Sequence, residues 1–326
     1  MVNQKQNLAS YLALTGGVGG AKLAVGLYHL LNDKVSFAVN TGDDFELYGL
    51  HISPDIDTLM YTLADKCHAQ QGWGRADETW SFMHSLQELG EQTWFQLGDK
   101  DLATHLLRTC NLKNGQTLSE VTAHLCTALG IQAPIYPMSD QSVRTQVQTP
   151  GGEWLDFQHY FVAEQCAPVV TGFRFIGADK ATLSPGLYQS LQQQLAAIFI
   201  CPSNPFVSVD PILSIDDMHA RLKQQSAPVI AVTPIIGGQA IKGPTAKMMV
   251  ELSMPTDAVT VARYYAECID GFILDEQDEY LAPEIEALGI QVTCAQTIMQ
   301  SFEDKVSLAQ NCLNFADRLN QWKRSA

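Results

Sequence analysis

Positive charge is scarce in this sequence: 20 Lys and Arg stand against 35 Asp and Glu, a formal net charge of −15. Nucleic-acid binders need a basic face and anionic membranes attract one, so neither partner is expected. A bound phosphate ester would have to be neutralised locally, by backbone N–H groups, a few lysines or a metal ion. No C-x-x-C pair occurs among the eight cysteines, which argues against zinc or thioredoxin-like chemistry and for reduced cytosolic thiols. Met1 to Ser10 carries Lys5 and several amides but no apolar stretch, so no leader is expected there. No run approaches membrane-spanning length, and a soluble, cytoplasmic protein is expected. G-x-S-x-G and H-E-x-x-H are both missing, which disfavours serine hydrolases and zinc proteases. Internal repeats and low-complexity tracts are absent too.

What is present is a core-forming chain of 326 residues, 46% hydrophobic and 17% charged. It opens with an apolar run, Tyr11–Leu14, a glycine turn, Thr15-Gly-Gly-Val-Gly-Gly20, and a helix-like stretch, Ala21–Leu31. A second run, Val35–Val39, ends in Asn40-Thr-Gly-Asp-Asp44. Further buried-strand runs recur at Val169–Thr171, Ala196–Cys201, Val229–Thr233, Phe272–Leu274 and Gln291–Cys294. Their alternation with helical patterns predicts an α/β, Rossmann-like fold with a largely parallel sheet flanked by helices.

Residues 58–130 read as a helical insertion into a core formed by 1–57 and 131–326. Within it, Trp80, Met83, Leu86 and Leu89 repeat every third residue, and Leu102, Leu106 and Cys110 every fourth, as amphipathic helices do. Thr117-Leu-Ser-Glu120 has the form of a capping box ahead of Val121, Leu125 and Leu129, and Gly130 suits the end of that helix. Val143–Thr149 and Trp154–Phe157, joined through Pro150-Gly-Gly152, read as a hairpin.

Glycines let the backbone approach a phosphate, and the helix after them offers free N–H groups. The turn is neither a full dinucleotide fingerprint, because Lys22 replaces the third glycine, nor a P-loop, because Leu23 follows that lysine. Asp43, Asp44, Asp55 and Asp57 fall within fifteen residues of one another at an expected strand end, a composition suited to magnesium. One of Asp55 and Asp57 is expected to cap the following helix and the other to be functional. Cys201-Pro-Ser-Asn-Pro205, Thr233-Pro-Ile-Ile-Gly-Gly238 and Ile241-Lys-Gly-Pro-Thr-Ala-Lys247 form further strand-end loops with anion-binding character. Gly98-Asp-Lys-Asp101 reads as a helix start, His105 as a packed or exposed residue rather than a base. Trp73, Trp80, Trp94 and Phe95 read as core, with room for a planar ring near the first.

These segments resemble the 2-phospho-L-lactate transferase family. The likeness runs in order through T-G-G-V-G-G-A-K-L (15–23), N-T-G-D-D (40–44), P-D-I-D-T-L-M-Y-T-L (54–63), W-F-Q-L-G-D-K-D-L-A-T-H (94–105) and P-M-S-D (137–140). It continues through P-S-N-P (202–205), P-I-I-G-G (234–238), K-G-P-T-A-K (242–247) and L-D-E (274–276). The resemblance implies that the terminal ribityl hydroxyl of the deazaflavin FO attacks a lactyl-, enolpyruvyl- or phosphoglyceryl-diphosphoguanosine donor and GMP leaves. It points to Asp57 as a catalytic residue that helps hold Mg²⁺ and FO, with Asp43 or Asp44 as the metal partner; general acid–base chemistry then leaves the remaining carboxylate as the expected proton acceptor. Asp44 is thus both a metal and a catalytic candidate. Nucleotide contacts are expected from Thr15, Gly16, Gly17, Gly19, Lys22 and Asn40 on the early loops. The later loops would add Ser203 and Asn204, Gly237 and Gly238, and Lys247. A homodimer is also implied. Gln96 stands where archaeal members carry a basic residue, so a cationic contact there is not expected.

Two other classes compete. Nucleotide-sugar-binding regulators of the same superfamily carry an N-D-D-G-G-S-type segment, which N-T-G-D-D followed by P-D-I-D-T does not match. A nicotinamide dehydrogenase would need the fingerprint that Lys22 interrupts.

Overall fold

The structure is a computed structural model describing residues 10–325; residues 1–9, where the leader was judged absent, and residue 326 lie outside it. The chain begins with β1 (Ser10–Thr15), α1 (Gly17–Leu31) and β2 (Val35–Val39), then a small hairpin of β3 (Phe45–Leu47) and β4 (Leu50–Ile52). Four helices follow: α2 (Pro54–Leu63), α3 (Ser81–Glu88), α4 (Asp99–Lys113) and α5 (Leu118–Ala128). Next come β5 (Ile135–Pro137) and a three-stranded antiparallel sheet of β6 (Arg144–Gln148), β7 (Trp154–Asp156) and β8 (Gly172–Ile176).

The second half alternates again. It runs α6 (Pro185–Gln192), β9 (Leu195–Ile200), α7 (Asp210–Leu213), α8 (Met218–Lys223), β10 (Val229–Val232), then a hairpin of β11 (Ile235–Ile236) and β12 (Gln239–Ala240). It closes with α9 (Thr245–Glu251), α10 (Ala258–Tyr265), β13 (Gly271–Asp275), α11 (Ala282–Glu286), β14 (Gln291–Ala295) and α12 (Phe302–Ser325).

Seven strands form one sheet in the order β14-β13-β10-β9-β1-β2-β5, every neighbouring pair parallel. This is the expected Rossmann-like arrangement, with the strand order reversing between β1 and β9. Its central strands are buried on both faces, which is why they read as unbroken apolar runs. Leu12 and Leu14 of β1 join one core cluster with Ile198 and Ile200, while Ala13 joins Phe37 and Phe199 on the other face. Each fully buried Leu or Phe of this kind contributes about 1.5–3 kcal/mol. Helices α1 and α12 approach closely: a Cβ on Gly26 would lie 2.0 Å from the Lys305 carbonyl oxygen. A mid-helix glycine is tolerated there because nothing larger fits.

The Thr117–Glu120 capping box and the 144–156 hairpin form as expected. Val169–Thr171 does not form a strand of the main sheet. The strand lies just beyond it, at β8, and pairs antiparallel with β6. There Phe173 stacks on Phe206 at 5.4 Å, so the alternating phenylalanines set the register and the apolar pair before them does not. β5 escaped the sequence reading because it is three residues long and ends in proline, which an edge strand tolerates.

The leucine spacing of α4 misleads as well. Leu106 is 52% and Leu107 54% exposed, and Cys110 is exposed, whereas the residues this helix buries are Thr104, His105, Arg108 and Thr109. The helix is turned so that its polar stripe faces inward, which is unfavourable unless each group is paired. Trp73 and Trp80 are 46% and 38% exposed rather than core. Trp94 and Phe95 are half-buried and pack as a ring cluster with Phe45. Among the described residues no helix is long and apolar enough to cross a membrane.

Candidate active site

The reversal of strand order opens a crevice at the carboxyl ends of β1 and β9, the usual ligand position in open α/β sheets. The glycine turn sits there. Gly17 takes φ +66° as α1 begins, a conformation that side chains rarely adopt. A Cβ on Gly19 would lie 2.3 Å from the Pro202 carbonyl oxygen, so the turn and the Cys201–Pro205 loop pack backbone to backbone. Gly16 N donates to Ser203 Oγ at 3.3 Å, joining the same two loops. Helix α1 has no acidic residue in its first turn, and geometry leaves its leading amides without intrahelical acceptors.

Behind this turn lies a buried acidic group. Asp55 Oδ1 accepts from Gly17 N at 2.7 Å and Oδ2 from Asn40 Nδ2 at 2.9 Å. Asn40 Oδ1 accepts from Gly42 N at 2.8 Å, which fixes the N-T-G-D-D loop against the P-D-I-D segment. Neither Asp55 nor Asp57 caps α2: the cap position is Ser53, whose hydroxyl donates to Asp44 Oδ2 at 2.8 Å. Both carboxylates instead point away from the helix end, Asp55 to the glycine turn and Asp57 to α4.

Asp43 Oδ1 and Asp44 Oδ1 are buried with no hydrogen-bond partner. Burial, with Asp55 adding like charge, pushes the Asp43 carboxyl well above its ordinary value. Burial likewise raises Asp55 to about 6, although bonds from Asn40 and Gly17 oppose the shift. Orphaned carboxyl oxygens near the start of α1, whose first amide is already held by Asp55, are what a divalent cation would satisfy. One or two carboxylates plus phosphate oxygens is the usual protein share of a magnesium shell. Asp43 and Asp44 fit that group.

A second cluster faces α4. Asp57 accepts from both terminal nitrogens of Arg108, from Nη1 at 3.0 Å and from Nη2. His105 Nδ1 lies 3.6 Å from Asp57 Oδ2, and its Nε2 lies 3.3 Å from Asp101 Oδ2. Asp101 Oδ1 accepts from the Tyr61 hydroxyl at 2.6 Å. Burial raises the Asp57 carboxyl, opposed by the Arg108 and His105 charges. Asp101 settles below its ordinary value, because bonds from His105 and Tyr61 outweigh its burial. Ligand atoms of Asp57, Asp101 and His105 lie within 4.8 Å of one another. The clusters meet at His51, whose Nε2 is 3.1 Å from Asp44 Oδ2 and whose N–H donates to Thr109 Oγ1 at 2.7 Å.

Asp101 also lines a cleft of about 390 Å³ walled by Trp73, Trp80, Arg75 and Gln96. A reciprocal cap builds its rim. Asp99 accepts from Ser81 N and Phe82 N of α3, while Glu78 accepts from Lys100 N and Asp101 N of α4. A Cβ on Gly98 would strike the Glu78 carboxyl carbon at 2.1 Å, so the L-G-D glycine serves that crossing. The expected helix start is therefore real, with Asp99 capping the neighbouring helix.

The remaining residues named from sequence divide. Thr15, Asn40 and Ser203 are buried at the crevice, and Asn204 holds the following turn through Phe206 N at 3.0 Å. Gly237 and Gly238 form the β11–β12 hairpin turn, both with positive φ, and Gly237 N donates to Asp278 Oδ2. Lys22 Nζ donates to the Met299 carbonyl at 2.8 Å, and Lys247 Nζ to the Pro168 carbonyl and Glu251. In this structure both ammonium groups are thus spent on tertiary ties. Arg108 was missed, although Asp101, His105 and Arg108 at i, i+4 and i+7 mark one helix face.

A family model described as 2-phospho-L-lactate transferase CofD matches residues 12–306. A phosphoenolpyruvate transferase of Kitasatospora aureofaciens is 37% identical over 315 residues, covering 94% of this chain and 98% of the relative. A 2-phospho-L-lactate transferase of Methanosarcina mazei is 34% identical over 300 residues, covering 92% and 98%. The solved structure of protein BH3568 from Bacillus halodurans shares the fold, with TM-score 0.62 at 14% identity over 94% of this chain and 99% of that one. On the family match and these near-full-length relatives, the chain belongs to the 2-phospho-L-lactate transferase (CofD) family.

Proposed function

We propose that this protein is a magnesium-dependent transferase that moves a phosphorylated three-carbon acid from a diphosphoguanosine donor to the ribityl hydroxyl of FO. Its relatives carry the names phosphoenolpyruvate transferase and 2-phospho-L-lactate transferase, which supports the transferred group. The observation that carries the reading is the pair of buried, unpartnered carboxylate oxygens of Asp43 and Asp44 beside the glycine turn. The acceptor oxygen bonds to the phosphorus that bears the acid, the bond between the two phosphorus-bearing groups breaks, and GMP departs with the bridging oxygen. Such transfers need in-line positioning and charge neutralisation more than covalent help from the protein.

In this reading the first-turn amides of α1 after Gly17, which Asp55 already holds, bind the donor phosphates, with Thr15, Asn40 and Ser203 shaping the crevice. Asp43 and Asp44 would hold the magnesium ion, which when bound would neutralise the diphosphate and act as a Lewis acid. Asp57 receives the acceptor hydroxyl. The deazaflavin ring takes the cleft between Trp73 and Trp80, whose wall at Asp101 is joined to Asp57 through His105. Gln96 in that cleft offers a neutral amide to the ring.

Purified protein, FO and Mg²⁺ offered each donor in turn (lactyl, enolpyruvyl and phosphoglyceryl) and read by mass spectrometry test this directly. One product names the donor. No product from any donor, with FO fluorescence also unchanged on mixing, would replace the enzyme with a nucleotide-binding regulator. Asp57→Asn should lower turnover by about a hundredfold or more, and because it leaves the buried Arg108 without its anion it should also cost about 3–5 kcal/mol of stability.

A further inference from the structure

Arg108 is fully buried and is the largest side chain in that state among the described residues. It reaches from α4 to α2, donating to both oxygens of Asp57. Its Nη1 also lies 3.4 Å from His105 Nδ1 and 3.5 Å from the His51 carbonyl oxygen. A fork of this kind grips a carboxylate in a fixed plane. The sequence reading gave Asp57 two duties, metal ligand and acceptor contact. The geometry separates them.

We propose that Arg108 is a positioning residue that reserves Asp57 for the acceptor hydroxyl and keeps it out of the metal shell, leaving the metal to Asp43 and Asp44. This rests on the transferase reading above. A divalent ion at Asp57 would share that carboxylate with a buried guanidinium already bonded to both oxygens. Like charges a few ångström apart repel strongly where water is excluded. Asp43 Oδ1 and Asp44 Oδ1 have the opposite character, buried and without a donor. Each Asp57 oxygen still has a lone pair beyond the one Arg108 occupies, enough to accept one hydroxyl. His105 and Asp101 then brace the pair from the side of the cleft.

The test measures Mn²⁺ binding by calorimetry on the full chain, with steady-state kinetics beside it. Asp57→Asn and Arg108→Lys should keep the parent's Mn²⁺ dissociation constant, whereas Asp44→Asn should weaken it by about tenfold or more. Arg108→Lys keeps the charge but loses the fork. It should lower kcat by about a hundredfold through misplacement of Asp57, with KM for the donor unchanged. Stripping Arg108 alone leaves a buried anion, so the folding control is the double variant Asp57→Asn/Arg108→Met. That variant should bind Mn²⁺ like the parent and be no slower than Asp57→Asn alone. Mn²⁺ binding weakened by Asp57→Asn as much as by Asp44→Asn, or parental kcat in Arg108→Lys, would overturn the proposal. A parent that binds Mn²⁺ through Asp44 yet forms no product would sink the transferase reading, and the metal arm would still decide where the ion sits.

Discussion

The two carboxylate clusters are both largely buried, the second opening to the cleft at Asp101, and they meet the problem of buried charge in different ways. Around the glycine turn, Asp43, Asp44 and Asp55 stand together with amide and hydroxyl donors and the His51 imidazole, and two of their oxygens find no donor. Across His51, Asp57 carries its own cation in Arg108, and Asp101 is served by Tyr61 and His105. Burying a charge without a partner is costly. A cluster whose carboxylates are paired builds a rigid wall, even though His105 Nε2 and Arg108 Nε find no acceptor in it, and one whose carboxylates are not all paired leaves room for a ligand. The comparison therefore supports the proposed reading, in which the first group would take the cation and the second would serve as scaffold.

The largest effect should come from the incomplete side. Removing Mg²⁺ with a chelator, or changing Asp44 to Asn, is expected to lower turnover by about a hundredfold to a thousandfold, the scale of losing one preorganised charge contact. The apoprotein should also melt at a lower temperature than protein saturated with Mn²⁺, which at a hundredfold excess over the dissociation constant gains about 2.7 kcal/mol of stability. Thermal scans across a Mn²⁺ series measure that gain. A melting curve indifferent to Mn²⁺ would mean that the orphaned oxygens are no metal site, and the contrast between the clusters would fail.

The completed side should answer in stability. Arg108→Met leaves the Asp57 anion buried and unpaired, a change expected to cost about 3–5 kcal/mol in denaturant unfolding. The double variant Asp57→Asn/Arg108→Met removes both charges and should recover most of that loss. If both variants lost the same amount, packing around the arginine stem would be the cause rather than the unpaired charge.

Much of this was legible in the chain, for reasons that also explain the failures. The parallel sheet could be read because β1, β2, β9, β10 and β13 are buried on both faces and therefore appear as unbroken apolar runs. The glycine turn and the N-T-G-D-D loop stand out because few other demands place glycines and paired aspartates at strand ends. Helix α4 was misread because Leu102, Leu106 and Cys110 share their four-residue spacing with Asp101, His105 and Thr109, one position out of phase. Periodicity finds a helix but does not choose between two stripes of equal spacing. Only the partners on α2 and β4, remote in sequence, turn the polar stripe inward. The exposure of Trp73 and Trp80 was hidden for a similar reason: a tryptophan lining a cleft and one filling a core look alike in a sequence.

A third buried carboxylate sharpens the comparison because it stands alone. Asp210 opens α7 and accepts from the Tyr264 hydroxyl, and burial raises its carboxyl to about 7 despite that bond. Its pKa in the folded state is therefore above the unfolded value near 4. The stability it contributes is full below about pH 4 and is lost as pH rises through about 7, because the unfolded chain releases the proton first. Urea unfolding between those limits should show stability falling with pH by something on the order of 3 kcal/mol, and Asp210→Asn should flatten that fall. Saturating Mn²⁺ should leave the Asp210 part of the slope untouched, since Asp210 is bonded to Tyr264 and to none of the crevice carboxylates. It should remove the part due to Asp55, raised to about 6 in the same direction, by favouring the ionised acidic group beside it. A slope that Asp210→Asn does not change would place the titration inside the crevice, and the solitary carboxylate would then be an idle one.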